Sequence, residues 1–290
     1  MMLHNFYQQP GGEDECFAAE AALLESKGHE VERVVLHNDS VSELGMATVA
    51  AKTIWNAEAC RDLRRRMRDN PPDVLHAHNL FPLFSPAVLR AAKAEGVPVV
   101  QTMHNYRLSC VNAIFFRSDK PCEDCQGRTL PWPGVLHRCY RGSALLSGGV
   151  ASMIATHRLL RTWSHHVDVM IALTEFARAK LVASGIPAAK IALKPNFLAI
   201  DPGAGPSTRE RYALFVGRVT PEKGVATLIR AWAHVPGPLG LKIVGDGPFA
   251  AEAARLAAGD SRIEFLGRRP SCETLELMRG ALAVVVPSEW

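Results

Sequence analysis

Arg218 and Lys223 flank a turn in the stretch YALFVGRVTPEKG, Tyr212 to Gly224, and the chemistry they suit is the holding of a phosphate. Ala213 to Val216 is an apolar run of strand type, Gly217 permits a sharp turn, and Pro221 stands just ahead of a helix start at Glu222. A strand that turns through glycine into a helix aims unpaired backbone N–H groups and a partial positive charge at one point. A guanidinium can fork two phosphate oxygens, while an ammonium on a flexible stem supplies a mobile point charge. Solvated loop cations are the alternative, because strand-glycine-helix units are common in α/β folds.

Two other glycine turns repeat the arrangement. Gly11-Gly12 follows the short run Met1 to Asn5 and precedes helical spacing of Phe17, Ala21 and Leu24. It reads either as a tight turn or as backbone able to come very close to a ligand. Gly245-Asp246-Gly247-Pro248 closes another strand. No G-x-G-x-x-G follows the first strand, which counts against a nicotinamide or flavin enzyme.

His104 ends the apolar strand VPVVQTM, Val97 to Met103, where ligands of open α/β sheets bind. It is a candidate for chemistry, with a satisfied core histidine as the competing reading. His76 and His78, two apart on a strand over Asp73 to His78, share a face. With no third ligand placed near them, a packed or hydrogen-bonded role is expected over a metal pair. Cys110, Cys122, Cys125 and Cys139 have the spacing C-x11-C-x2-C-x13-C, and PCEDC forms a knuckle of the kind that grips zinc. A structural zinc, with His137 as a spare ligand, stands beside thiols that stabilise a loop by packing.

The elements that must position these residues alternate. Strands are expected at the first residues, 30–36, 73–78, 97–103, 167–173 and 191–193, with helices at 13–27, 48–68, 143–166 and 175–184. The segment 108–141 interrupts them. Residues 201–209, rich in Pro and Gly, read as a linker. Beyond it come strands at 212–216, 239–244, 262–265 and 282–286, with helices at 222–234, 249–258 and 271–280. The helix 48–68 ends in Arg61, Arg64, Arg65, Arg66 and Arg68, a wet helix face or a surface drawn to anionic lipid.

With 290 residues, 48% hydrophobic, the chain is long enough for two domains, and a formal charge of +4 gives no reason to invoke nucleic acid. No run is long and apolar enough to cross a bilayer, and MMLHNFYQQ has neither a basic nor an apolar leader region. Seven cysteines without an export signal fit reduced thiols or metal ligands, and a cytoplasmic location is expected, with peripheral contact at the inner face of the membrane left open.

The motifs HNFYQQPGGE, DVLHAHN, TMHN, LTEF, KPN, FVGRVTPEKG, IVGDGP, FLG and VPSE, in this order over nearly the whole chain, resemble those of the family 4 glycosyltransferases. The resemblance implies an α/β protein of GT-B type, two Rossmann-like doubly wound domains facing across a cleft. Domain one would span 1–200 with the cysteine-rich insertion 108–141, and domain two 210–290. It implies transfer of a sugar from a nucleoside-diphosphate sugar to an acceptor hydroxyl, on a glycan or lipid-linked glycan, with retention and with no catalytic metal required. Gly11 and Gly12 would approach the donor diphosphate, Arg218 and Lys223 would bind it, the Gly245 to Gly247 turn would add to donor binding, and His104 would lie by the donor sugar. The family's E-x7-E glutamates would follow the PSEW segment, where the sequence ends at Trp290; Glu289 precedes that pair, so a partial sequence with an incomplete second domain is expected. A non-catalytic nucleotide-sugar-binding fragment and a zinc-stabilised interaction protein are the alternatives.

Overall fold

The computed structural model of the protein describes residues 1–8, 11–198, 201, 203, 205–206 and 208–289. Gln9 and Pro10 of the expected first turn, Pro202, Ala204 and Ser207 of the expected linker, and Ala199, Ile200 and Trp290 lie outside the described residues. The chain divides into two compact units, Met1–Phe115 with Glu123–Ala199, and Phe116–Cys122 with Ile200–Trp290.

In chain order the first elements are β1 (Met2–Phe6), α1 (Gly12–Ser26), β2 (Arg33–His37), α2 (Met46–Ile54), α3 (Ala57–Asp69), β3 (Leu75–Ala77), α4 (Ala87–Ala94) and β4 (Val99–Met103). A short antiparallel hairpin, β5 (Phe116–Arg117) with β6 (Lys120–Pro121), and α5 (Trp132–Leu136) occupy the cysteine-rich segment. Then come α6 (Ala144–Leu159), α7 (Thr162–His165), β7 (Val169–Ala172), α8 (Glu175–Ala183) and β8 (Ile191–Leu193).

Strands linked by helices must run parallel, because the crossover returns the chain to the same end of the sheet. The first unit accordingly holds a parallel six-stranded sheet in the order β2-β1-β3-β4-β7-β8. Side chains alternate across it. Met2 packs with Phe17 and Ala21 of α1, while Leu3 faces the larger core with Leu75, Leu89, Val99 and Ile154. Period two then puts His4 on the α1 side with Met2.

The second unit carries β9 (Glu210–Val216), α9 (Val225–Trp232), β10 (Gly240–Val244), α10 (Ala250–Ala257), β11 (Ile263–Gly267), α11 (Ser271–Gly280) and β12 (Ala281–Val284). Its four parallel strands run β11-β10-β9-β12. Ala213 and Phe215 face Val225, Leu228, Ile229 and Trp232 of α9, whereas Tyr212 and Leu214 pack on the other side with Val244 and Ala281. Each sheet has one place where strand order reverses, between β1 and β3 in the first and between β9 and β12 in the second. Crevices for ligands form at such points, beyond the strands' carboxyl ends.

Three expected helices differ. The 48–68 helix is two, because Asn56 caps α3, its Oδ1 accepting from Ala59 N at 3.0 Å. The 143–166 helix breaks at Arg161, which adopts φ 52. The helix expected from Glu222 begins at Val225, since Gly224 takes φ 67 and leaves Pro221–Lys223 as a single 3-10 turn. The helix α4 was absent from the sequence expectations. On α3, Arg64 and Arg68 pair with Glu95, and Arg65 and Arg66 with Asp62. These pairs account for most of the arginine row as a solvated, ion-paired face.

Candidate active site

His104 stands one residue beyond β4, and its Nε2 lies 3.0 Å from His78 Nδ1, the two rings stacked with centroids 5.2 Å apart. Burial pushes the His104 pKa down to about 4, with Glu20 opposing the shift and neighbouring imidazoles adding to it. At neutral pH it is therefore an uncharged hydrogen-bonding group. A pocket opens beside it, lined by Glu13, His78, Asn79, His104, Asn105 and Arg107 among others.

At the neighbouring carboxyl end of β1, Gly11 precedes α1 with extended backbone, φ −134, and its N–H donates to Asp14 Oδ2 at 2.7 Å. The other Asp14 oxygen meets His4 Nε2 at 2.6 Å, and His4 stacks on Phe17 at 4.7 Å. This fixes the start of α1 against the first strand. A Cβ added at Gly12 would meet nothing within 4 Å, and one at Gly11 only Asp14 Oδ2 at 3.9 Å. Neither glycine is demanded by the packing around it.

The structure adds residues that the sequence reading missed. Glu20 lies on the buried stripe of α1, 6% exposed, and reaches toward His76 and His78 of the third strand segment. The expectation that no third ligand lies near that histidine pair is corrected: Glu20 is separated from it by more than fifty residues of chain, but α1 crosses the same sheet face. Lys194 Nζ sits 2.5 Å from Glu20 Oε1, and Cys16 Sγ lies 3.3 Å from the same oxygen and 3.2 Å from Asn196 Oδ1. Burial, with Glu20 beside it, pushes the Cys16 thiol up to about 12. The available signal was a carboxylate at helical spacing among Phe17, Ala21 and Leu24, where only apolar residues are expected.

In the second unit Arg218 and Lys223 follow β9, the strand beside the reversal point. The Arg218 side chain is 70% exposed, with Glu222 Oε1 at 3.9 Å. Glu222 is itself held by Thr220 Oγ1 at 2.7 Å. Lys223 is half-buried, and its ammonium has no ion pair or hydrogen bond among the described residues. The loop after β10 lies against the loop after β9: Gly217 N–H donates to Val244 O at 3.0 Å and Val219 N–H to Asp246 O at 2.9 Å. A Cβ on Gly245 would stand 1.8 Å from Gly217 O, and one on Gly247 2.4 Å from Val219 O. Bare backbone at both positions is thus required for the two loops to touch.

Among the described residues, the groups of three or more side chains able to share a metal are Cys16-His78-His104 and Glu20-His76-His78. Neither contains Cys110, Cys122, Cys125 or Cys139. Cys110 Sγ instead lies 2.8 Å from Asn112 Oδ1, Cys125 Sγ lies 3.8 Å from Pro131 O, and Cys139 packs against the main core. No described helix is long and apolar enough to cross a membrane.

Compared with known proteins, the chain matches a family model described as "Glycosyl transferase 4-like domain" over residues 11–196 and one described as "Glycosyl transferases group 1" over residues 210–290. A comparison with curated protein sequences finds no match. Among solved structures, the chain is similar to Anabaena Alr3699/HepE in complex with UDP and glucose, with 17% identity, TM-score 0.58, and coverage of 99% of this chain and 74% of that one. It is also similar to the apo form of the lipopolysaccharide outer core galactosyltransferase WaaB, with 13% identity, TM-score 0.54, and coverage of 99% and 74%. A glycosyltransferase from Rickettsia africae matches with 13% identity, TM-score 0.58, and coverage of 99% and 72%. At such identities the likeness is one of fold, and that fold is the α/β GT-B type with two Rossmann-like domains.

Proposed function

The chain belongs to the glycosyl transferase 4-like family, and from that premise we propose that it moves a sugar from a nucleoside-diphosphate sugar to an acceptor hydroxyl with retention of anomeric configuration. The observation that carries the reading is Lys223: a half-buried cation at the reversal point of the second sheet, with no partner among the described residues. A cation so placed is complete when an anionic ligand arrives.

As the glycosidic C–O bond breaks, the departing diphosphate gains negative charge. Arg218, Lys223 and the N-terminal end of α9 neutralise it, and no catalytic metal is called on. The sugar passes through an oxocarbenium-like state and is attacked by the acceptor hydroxyl. An uncharged His104 serves as a hydrogen-bond partner for a donor sugar hydroxyl. The neighbour solved with UDP and glucose supports a uridine-diphosphate hexose as the first donor to try, and the acceptor class we propose is a glycan or a lipid-linked glycan.

Lys223→Ala tests this directly, with UDP-glucose turnover as the readout and circular dichroism as the check on folding. Removing one donor to a developing oxyanion lowers kcat by about 10²–10³-fold. Wild-type turnover in that variant would take Lys223 out of the mechanism.

A further inference from the structure

We propose that Glu20, His76 and His78 form a binding site for one divalent ion of the zinc class, distinct from the cysteine-rich segment. On β3 and its continuation, His76 and His78 share a face, their ring centroids 4.4 Å apart. Glu20 reaches them from α1, with Oε2 placed 3.8 Å from His76 Nδ1 and 3.7 Å from His78 Nε2. Both separations are too long for hydrogen bonds. They are close to the ligand-to-ligand spacing of about 3.3 Å that follows from zinc bonds of about 2.0–2.1 Å in a tetrahedral shell. A small rotation of either ring closes the difference.

His78 Nε2 supplies the independent sign. It is buried, has no hydrogen-bond partner, and belongs to a residue only 3% exposed. His78 Nδ1 and His104 Nε2 share one proton across 3.0 Å, so His78 Nε2 is either a bare lone pair facing a carboxylate oxygen or an N–H standing 3.7 Å from it, beyond hydrogen-bond reach. In the first tautomer two acceptors are aimed at one another in a buried place and lack the positive charge that would make them compatible. Lys194 cannot provide it there, because its ammonium sits on the other oxygen, Oε1. His76 Nε2 is taken up by Thr102 Oγ1, which leaves His76 Nδ1, 3.8 Å from Glu20 Oε2, facing the same place.

Both imidazoles are held from behind as metal-bound histidines are: His76 Nε2 by Thr102 Oγ1 at 2.8 Å, and His78 Nδ1 by His104. Two neutral imidazoles and one carboxylate suit zinc or its neighbours in the first transition series. A bound ion would confine the His78 proton to Nδ1, so that His104 accepts at Nε2 and carries its own proton on Nδ1. The metal site itself does not rest on the proposed glycosyl transfer.

The test uses the chelator-stripped chain carrying Cys122→Ser and Cys125→Ser, titrated with Zn²⁺ alone by calorimetry and with Co²⁺ alone by visible absorption. One equivalent should bind, and the cobalt spectrum should lack a strong thiolate charge-transfer band. Glu20→Gln and, separately, His76→Gln should each weaken binding by about tenfold or more, with circular dichroism confirming the fold. Two variants are used because either could disturb α1 or β3. No bound equivalent, unchanged affinity in the folded variants, or a cobalt spectrum dominated by thiolate would overturn the site. Because no substrate enters the titration, inactivity as a glycosyltransferase would leave this result standing.

Discussion

At Gly12 the surrounding structure leaves an alanine methyl free of any neighbour within 4 Å, at the first position of a helix. Replacing it with alanine should hold or raise stability by about 0.5–1 kcal/mol, since alanine loses less backbone entropy on folding. If Gly12 approaches the donor diphosphate, the same change should raise KM for the donor or abolish turnover. Urea unfolding beside steady-state kinetics separates the two effects, and unchanged kinetics would remove Gly12 from the donor site. The histidines offer a second measurement at this scale. His76 and His104 fall from an ordinary value of 6.5 to about 4 because burial penalises the imidazolium. Between those values the unfolded chain binds more protons than the folded one, so stability is complete above pH 6.5 and is lost as pH falls toward 4. The urea midpoint should drop between pH 7 and pH 5, and His76→Gln should flatten that drop.

Among elements, the junction of α2 and α3 depends on one side chain. Asn56 caps α3 by accepting from Ala59 N at Oδ1, donates from Nδ2 to Leu83 O at 2.6 Å, and donates from its own backbone N–H to Ser85 Oγ at 3.0 Å. Asn56→Ala removes the cap and leaves a buried carbonyl without its donor. The expected loss is about 2–3 kcal/mol, from about 1 for the cap and 1–2 for the orphaned group. Urea unfolding measures it, and a loss below about 0.5 kcal/mol would show that water replaces the amide. This break was visible as an asparagine before an alanine-rich turn, yet the arginine run carried the helical reading through it. The start of α9 was misplaced for a similar reason: Pro221 and Glu222 are good helix openers, but Gly224 at φ 67 closes the turn before the helix begins. Local preference nominated a start, and the glycine's close approach to Pro287 O, 2.0 Å from where its Cβ would stand, selected another.

For the molecule as a whole, the proposed chemistry divides its groups between the two units: glycines 11 and 12 and His104 in one, Arg218 and Lys223 in the other. A nucleoside diphosphate should therefore slow amide exchange in two stretches of the second unit, residues 217–224 and 245–247. Lys223→Ala should lose that protection while exchange in β9 and β10 stays unchanged. Hydrogen–deuterium exchange with and without UDP reads both, and protection surviving the substitution would mean that the nucleotide is held elsewhere.

The sequence alone determined the alternation of strands and helices, the restart after residue 201, the glycine turns, and through the order of its motifs the GT-B fold. Those features are local: period two, period 3.6 and glycine each act within a few residues. Tertiary structure alone decided which buried polar groups meet. It brought Glu20 of the first helix to His76 and His78 and set Lys194 on the remaining oxygen. Spacing along a chain says nothing of distance across a sheet, because a helix can cross any strand on its face, and only the packed fold shows which carboxylate lies against which imidazole.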